Sequence, residues 1–179
     1  DEEGKQYPAV NPYANGNAWF VNKLLTVTSA DAEIKALDSL DVKNEAVVNT
    51  ENFPNIHRFE FQKDSSASIV LTHYEPNQLT YKSSNPDAGV GVFSEMYYAD
   101  GWNAYIDGEE KPYFEVNYVL RAIKIPSGNH IIEFKFQPNL VQTGSQITLA
   151  SSIILILIVL GGIVFSVWRT SNEDKLNSP

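Results

Sequence analysis

The chain has 179 residues, 43% of them hydrophobic, with a formal net charge of −9 and no cysteine. That length supports one domain with a real core plus accessories. The acidity disfavours nucleic acid as a partner and peripheral docking on anionic lipid, and the absent cysteines exclude disulfides, thiol catalysis and thiolate zinc sites within these residues.

In chain order, residues 1–28 read as a lead-in loop and strand. "YPAVNPYANGN", Tyr7 to Asn17, is irregular, and "AWFVNKLLTVT", Ala18 to Thr28, is one apolar run suited to a strand. Residues 29–145 form the main domain. Ser29 caps "ADAEIKALDSL", where Ile34, Leu37 and Leu40 recur on one face and Asp31 and Glu33 favour the first turn of a helix dipole. After "DVKNEAVVNTENFPN", with a short strand over 46–48, the pattern turns to β. Runs at 59–61, 67–74, 79–83, 90–98, 103–106, 119–125 and 131–136 recur about every ten residues, the spacing of a sandwich rather than of βαβ units. In "HIIEFKFQ", Ile132, Phe134 and Phe136 share one face and Glu133 and Lys135 the other, the alternation of a half-buried antiparallel strand. The expected fold is therefore mainly β: an antiparallel sandwich, jelly-roll or immunoglobulin-like, with one short N-terminal amphipathic helix.

Residues 146–168 follow as a transmembrane helix. "ITLASSIILILIVLGGIVFSVW", Ile147 to Trp168, holds no charge and at about 1.5 Å per residue spans roughly 33 Å, enough for a hydrocarbon layer of about 30 Å. Gly162 and Ser166 make a small-residue step that suits a neighbouring helix. Residues 169–179 are polar and read as a disordered tail. One basic residue, Lys135, lies shortly before the span and two, Arg169 and Lys175, after it; this excess favours a cytoplasmic C-terminus. The opening "DEEGKQYPAV" has neither initiator methionine nor signal core, so the chain reads as part of a longer protein whose other spans precede it.

The segment "YYADGWNAYIDGEEKPY", Tyr97 to Tyr113, concentrates aromatics and carboxylates. Two carboxylates flanking a sugar bond would make a glycosidase, but Asp107-Gly108 between two strand-like runs is foremost a hairpin turn, with Glu109 and Glu110 opening a solvated edge where Pro112 is tolerated. No catalytic residue is assigned. Most of the aromatics belong to strand packing; Trp102 and Tyr98, beside Asp100 and Asn103, are the residues that would stack on and hydrogen-bond a glycan. No metal site or cofactor is expected: His57, His73 and His130 have no ligand spacing, and no phosphate-binding loop appears.

"GNAWFV" (Gly16 to Val21), then "FSEMYYADGWNAYIDGEEKPYFEVNYVLRAIKIPSGNHIIEFKFQP" (Phe93 to Pro138), then a final apolar helix, resembles the C-terminal end of the YfhO family of bacterial multi-spanning membrane proteins. The most specific part is the order Tyr-Tyr, Gly-Trp, Ala-Tyr-Ile-Asp-Gly, Asn-Tyr, Arg-Ala, Ile-Pro-x-Gly-x-His and Glu-Phe. The resemblance implies a protein similar to GT-C glycosyltransferases, which use polyprenyl-phosphate sugars on the outer face of the cytoplasmic membrane. It also implies a catalytic residue in a membrane half outside these residues. Trp102, Asp107, Gly108, Asn117, Arg121, Pro126 and Gly128 match the family pattern, and Asp107, Gly108, Pro126 and Gly128 are expected to be its hairpin frame.

The resulting expectation is the non-catalytic extracytoplasmic domain and membrane anchor of a YfhO-like polytopic protein, working in glycosylation of cell-envelope polymers. Its partners would be the membrane, the remaining helices of the longer protein and envelope glycan. Two rivals stand beside it: a membrane-tethered carbohydrate-binding or adhesion module, and a tail-anchored cytoplasmic scaffold.

Overall fold

The stretch "GVGVF", residues 89–93, places apolar or glycine positions on both faces of one strand, which is stable only with cover on each side. The computed structural model, which describes residue 11 and residues 14–60 and 64–176, puts this strand in a central layer. The strands are β1 (Ala18–Val21), β2 (Lys23–Val27), β3 (Glu45–Asn49), β4 (Phe59–Glu60), β5 (Ser68–Glu75), β6 (Gln78–Asn85), β7 (Gly89–Met96), β8 (Trp102–Ile106), β9 (Glu109–Glu110), β10 (Tyr113–Val116), β11 (Leu120–Ile125) and β12 (Gly128–Phe136); the helices are α1 (Ala30–Leu37) and α2 (Asn139–Leu176).

A four-stranded sheet in the order β1-β7-β11-β10 has a different partner on each face. On one face, Phe20, Phe93, Ile123 and Ile125 share a core cluster with Ile69, Tyr81, Ile106, Ile132 and Phe134 of the five-stranded sheet β5-β6-β12-β8-β9. On the other, Val21, Val90, Val92, Phe114, Val116 and Ala122 meet Leu24, Ala46 and Val48 of a three-stranded sheet, β3-β2-β4. Burial of each side chain of this size contributes about 1.5–3 kcal/mol. The inner rings meet edge-on, Tyr81 to Phe93 at 4.8 Å and Phe93 to Phe134 at 5.0 Å between centroids.

All pairings within the two larger sheets are antiparallel, as expected. The third layer adds a feature that the spacing concealed: β2 and β3 run parallel, joined through α1. The single run read over Ala18 to Thr28 is two strands in two sheets, because Asn22 and Lys23 both donate their backbone N–H to the Asn44 carbonyl (2.9 and 3.1 Å) where the chain changes layer. Residues 18–27 are thus built into the sheets, and the boundary at 28/29 separates nothing.

Ser29 caps α1 as read, its Oγ accepting from Ala32 N–H at 3.2 Å. The buried face differs: Ile34 is 46% exposed and Glu33 only 2%. The expected strand over 59–61 ends at Glu60 within the described residues; 61–63 lie outside them.

One compact unit ends at Gln137 and a second begins at Pro138. The second is α2, 38 residues long and therefore about 57 Å. Its stretch Gln146–Ile163 has a mean hydropathy of 2.3 and no burial. The helix starts before residue 146 and runs past 168 through most of the segment read as a disordered tail. Nothing from Arg169 to Leu176 is Gly or Pro, so the sequence supplies no stop signal there.

Candidate functional site

The Asp107-Gly108 turn has φ of +53° and +83°, and Ile106 pairs with Glu109 across it; this is the mirror-image two-residue hairpin that Asp-Gly favours. Asp107 also ties this turn to β12. Its backbone N–H donates to Ile131 O at 2.8 Å, its Oδ1 accepts from Ile131 N–H at 2.8 Å, and its Oδ2 lies 2.6 Å from His130 Nδ1. His130 Nε2 is 3.1 Å from the Ser127 carbonyl. Both ring nitrogens therefore face acceptors, the surroundings of an imidazolium. The bond to His130 lowers the Asp107 pKa and the bond to Asp107 raises that of His130. Gly128, at φ +116°, opens β12 directly after Ser127, so His130 is held between the Asp107 side chain and the Ser127 carbonyl.

Arg121 is a buried cation, 3% exposed. Its Nε donates to the Met96 carbonyl at 2.7 Å, and its guanidinium carbon lies 4.4 Å from the Trp102 ring centroid and 5.2 Å from that of Phe134. Its Nη1 is buried with no hydrogen-bond partner among the described residues. Burial lowers its pKa, opposed by Tyr113, Glu95 and Tyr81. The signal for this was in "LRAIKI": Arg121 shares its strand face with Ile123 and Ile125, both core residues.

Trp102, Tyr98, Asp100 and Asn103 do not form one array. Strand alternation turns Trp102 inward with Ala104 and Ile106, where it packs on Phe136 at 5.4 Å and beneath Arg121. Asn103 and Tyr105 take the opposite face and both donate to Gln137 Oε1, at 3.4 and 3.1 Å. Tyr98 and Asp100 are exposed in the loop between β7 and β8. The Tyr113 hydroxyl holds that loop from below, at 2.8 Å from the Tyr98 carbonyl and 3.1 Å from that of Trp102; burial pushes its pKa up to about 12. Tyr97 turns the other way, onto Phe53 and Tyr113 at 5.6 and 5.2 Å. Of the aromatics proposed for stacking, Tyr98, 51% exposed, is the one with a free ring.

The carboxylates in and just after this stretch have separate surroundings. Asp107 serves the turn, Glu109 pairs with Lys111 at 2.6 Å, and Glu115 is half-buried with its pKa raised by that burial.

Three β layers followed by a long helix with an exposed apolar span define a β domain attached to a membrane segment. The family described as bacterial membrane protein YfhO matches residues 38–148, and the chain belongs to that family. No curated protein and no solved structure matches it.

Proposed function

We propose that this chain is the non-catalytic extracytoplasmic domain and membrane anchor of a YfhO-family protein that glycosylates cell-envelope polymers from polyprenyl-phosphate sugars. The observation that carries the reading is family membership joined to an apolar span at the C-terminal side of the β domain. Asp107 in its turn and Glu109 in its pair with Lys111 favour a supporting rather than a chemical role. In this reading the β7–β8 loop offers Tyr98 for stacking on an acceptor glycan and Asp100 for its hydroxyls, while Trp102 and Arg121 hold the loop's base. The C-terminus of α2 is cytoplasmic.

Two measurements test it. The chain contains no cysteine, so Ser65→Cys, at an exposed turn, reports sidedness when compared with the unsubstituted protein. A membrane-impermeant maleimide labels it in intact cells if the domain is outside; labelling only after permeabilisation would overturn the topology. For the function, Tyr98→Ala in the full-length protein lowers envelope-polymer glycosylation while the domain stays folded, and unchanged transfer removes the glycan contact.

A further inference from the structure

The loop after β3 and the segment joining β9 to β10 bound a groove of about 470 Å³, within the size range of small-molecule sites. Phe53, Ile56, Pro112 and Phe114 give it an apolar wall, and Lys111 and Lys124 line it as well. The wall is fixed from behind: Phe53 and Ile56 pack on the cluster that contains Phe114, and Phe53 lies 6.3 Å from the Phe114 ring.

The electrostatics of this groove run against those of the chain. Net charge is −9, yet among the described residues that line the groove none is acidic. A second groove of about 520 Å³ is lined instead by Asp41, Glu45 and Glu60 beside Lys23. Lys124 is exposed, with its ammonium 4.4 Å from the Phe59 ring centroid. The partner of Lys111 is Glu109, whose side chain is 79% exposed, a solvent-screened pair that exchanges readily. Both ammonium groups are therefore available to an incoming anion.

We propose that this groove binds a single-chain anionic amphiphile, with its tail on Phe53, Ile56, Pro112 and Phe114 and its phosphate or carboxylate paired with Lys111 and Lys124. An inorganic anion would leave the apolar wall uncovered, and a neutral hydrocarbon would leave the two cations unused.

The test uses the whole chain in phosphatidylcholine nanodiscs, with empty nanodiscs subtracted, and a dansylated undecanoate as probe. Dodecyl phosphate displaces the probe, and dodecanol does so about tenfold less well or worse, a difference of about 1.4 kcal/mol. Lys111→Ala/Lys124→Ala weakens dodecyl phosphate by about tenfold or more and leaves dodecanol unchanged; Ile56→Trp, which fills the groove, weakens both. Equal displacement by dodecanol, an unaffected lysine variant, or no probe bound above the empty nanodiscs overturns the proposal. Nanodiscs containing phosphatidylglycerol leave the probe bound; displacement by them would show that the groove takes a two-chain membrane phospholipid and would overturn the single-chain assignment.

Discussion

Asn117 occupies both backbone hydrogen-bonding groups of Val47, seventy residues away: its N–H donates to the Val47 carbonyl at 2.8 Å, and its side-chain Oδ1 accepts from the Val47 N–H at 2.9 Å. One residue thus closes the outer edge of β3 and fastens the small sheet to the β10–β11 turn, at a φ of +52° that Asn tolerates better than most residues. Asn117→Gly keeps the backbone conformation and orphans the Val47 N–H, a loss of about 1–3 kcal/mol. Asn117→Ala adds the left-handed strain, about 1–2 kcal/mol more. Urea unfolding of the chain in detergent should rank the proteins as wild type, Gly, then Ala; an Ala variant as stable as Gly would show that the φ constraint is unimportant.

The Asp107–His130 pair sets a pH window. Asp107 titrates below its ordinary 3.8, so its contribution is present above that pH and is lost as pH falls through the lowered value. His130 titrates above its ordinary 6.5, so its contribution is complete below 6.5 and is lost as pH rises through the raised value. The hairpin frame is accordingly firmest between about pH 4 and 6.5. Asp107→Asn preserves a turn-forming residue while removing the charge, and the His130 ring resonances in NMR should then titrate at lower pH than in wild type. An unmoved titration would mean that Asp107 does not control the ring.

Much of this architecture was legible. Asp-Gly at 107–108 announced its turn because the two-residue loop demands positive φ, and "HIIEFKFQ" announced β12 because alternation survives when one face is solvated. What escaped was set by partners distant in sequence. The period of α1 pointed to Ile34, yet the β10–β11 turn draws Glu33 inward. Asn22 looked like one polar residue within a strand, and only the Asn44 carbonyl shows that it is a corner. Trp102 read as a sugar platform because composition alone cannot say which face of β8 it takes; the neighbours Ala104 and Ile106 decide that.

Arg121 tests how a buried cation is accommodated. Its stacking on Trp102 and Phe134 and its Nε bond to Met96 depend on a planar guanidinium, so Arg121→Lys keeps the charge and loses both. The cost should be about 2–3 kcal/mol. Arg121→Met fills much of the same space without a buried charge, and because Nη1 already lacks a hydrogen-bond partner, it should unfold no earlier than the Lys variant in urea. A Lys variant more stable than Met would show that charge, rather than shape, holds the site.

Glu33 offers a pH dependence opposite in sense to that of Asp107. Its carboxylate is buried in α1 and accepts the Tyr118 backbone N–H at 3.1 Å, holding Tyr118 at a φ of +72°. Burial raises its pKa above the ordinary 4.5, the Tyr118 bond opposes the rise, and Glu115 adds to it. The folded state therefore binds this proton more tightly than the unfolded chain, and the ionised form costs stability above the raised pKa. As pH falls through that value the cost disappears, and below 4.5 none remains. Glu33→Gln retains an oxygen for Tyr118 and removes the charge. In urea unfolding it should match wild type at pH 4 and exceed it at pH 8, with the difference opening between those limits. If Gln is instead less stable at pH 8, the ionised carboxylate is an asset to the α1 anchor, and its bond to Tyr118 outweighs its burial.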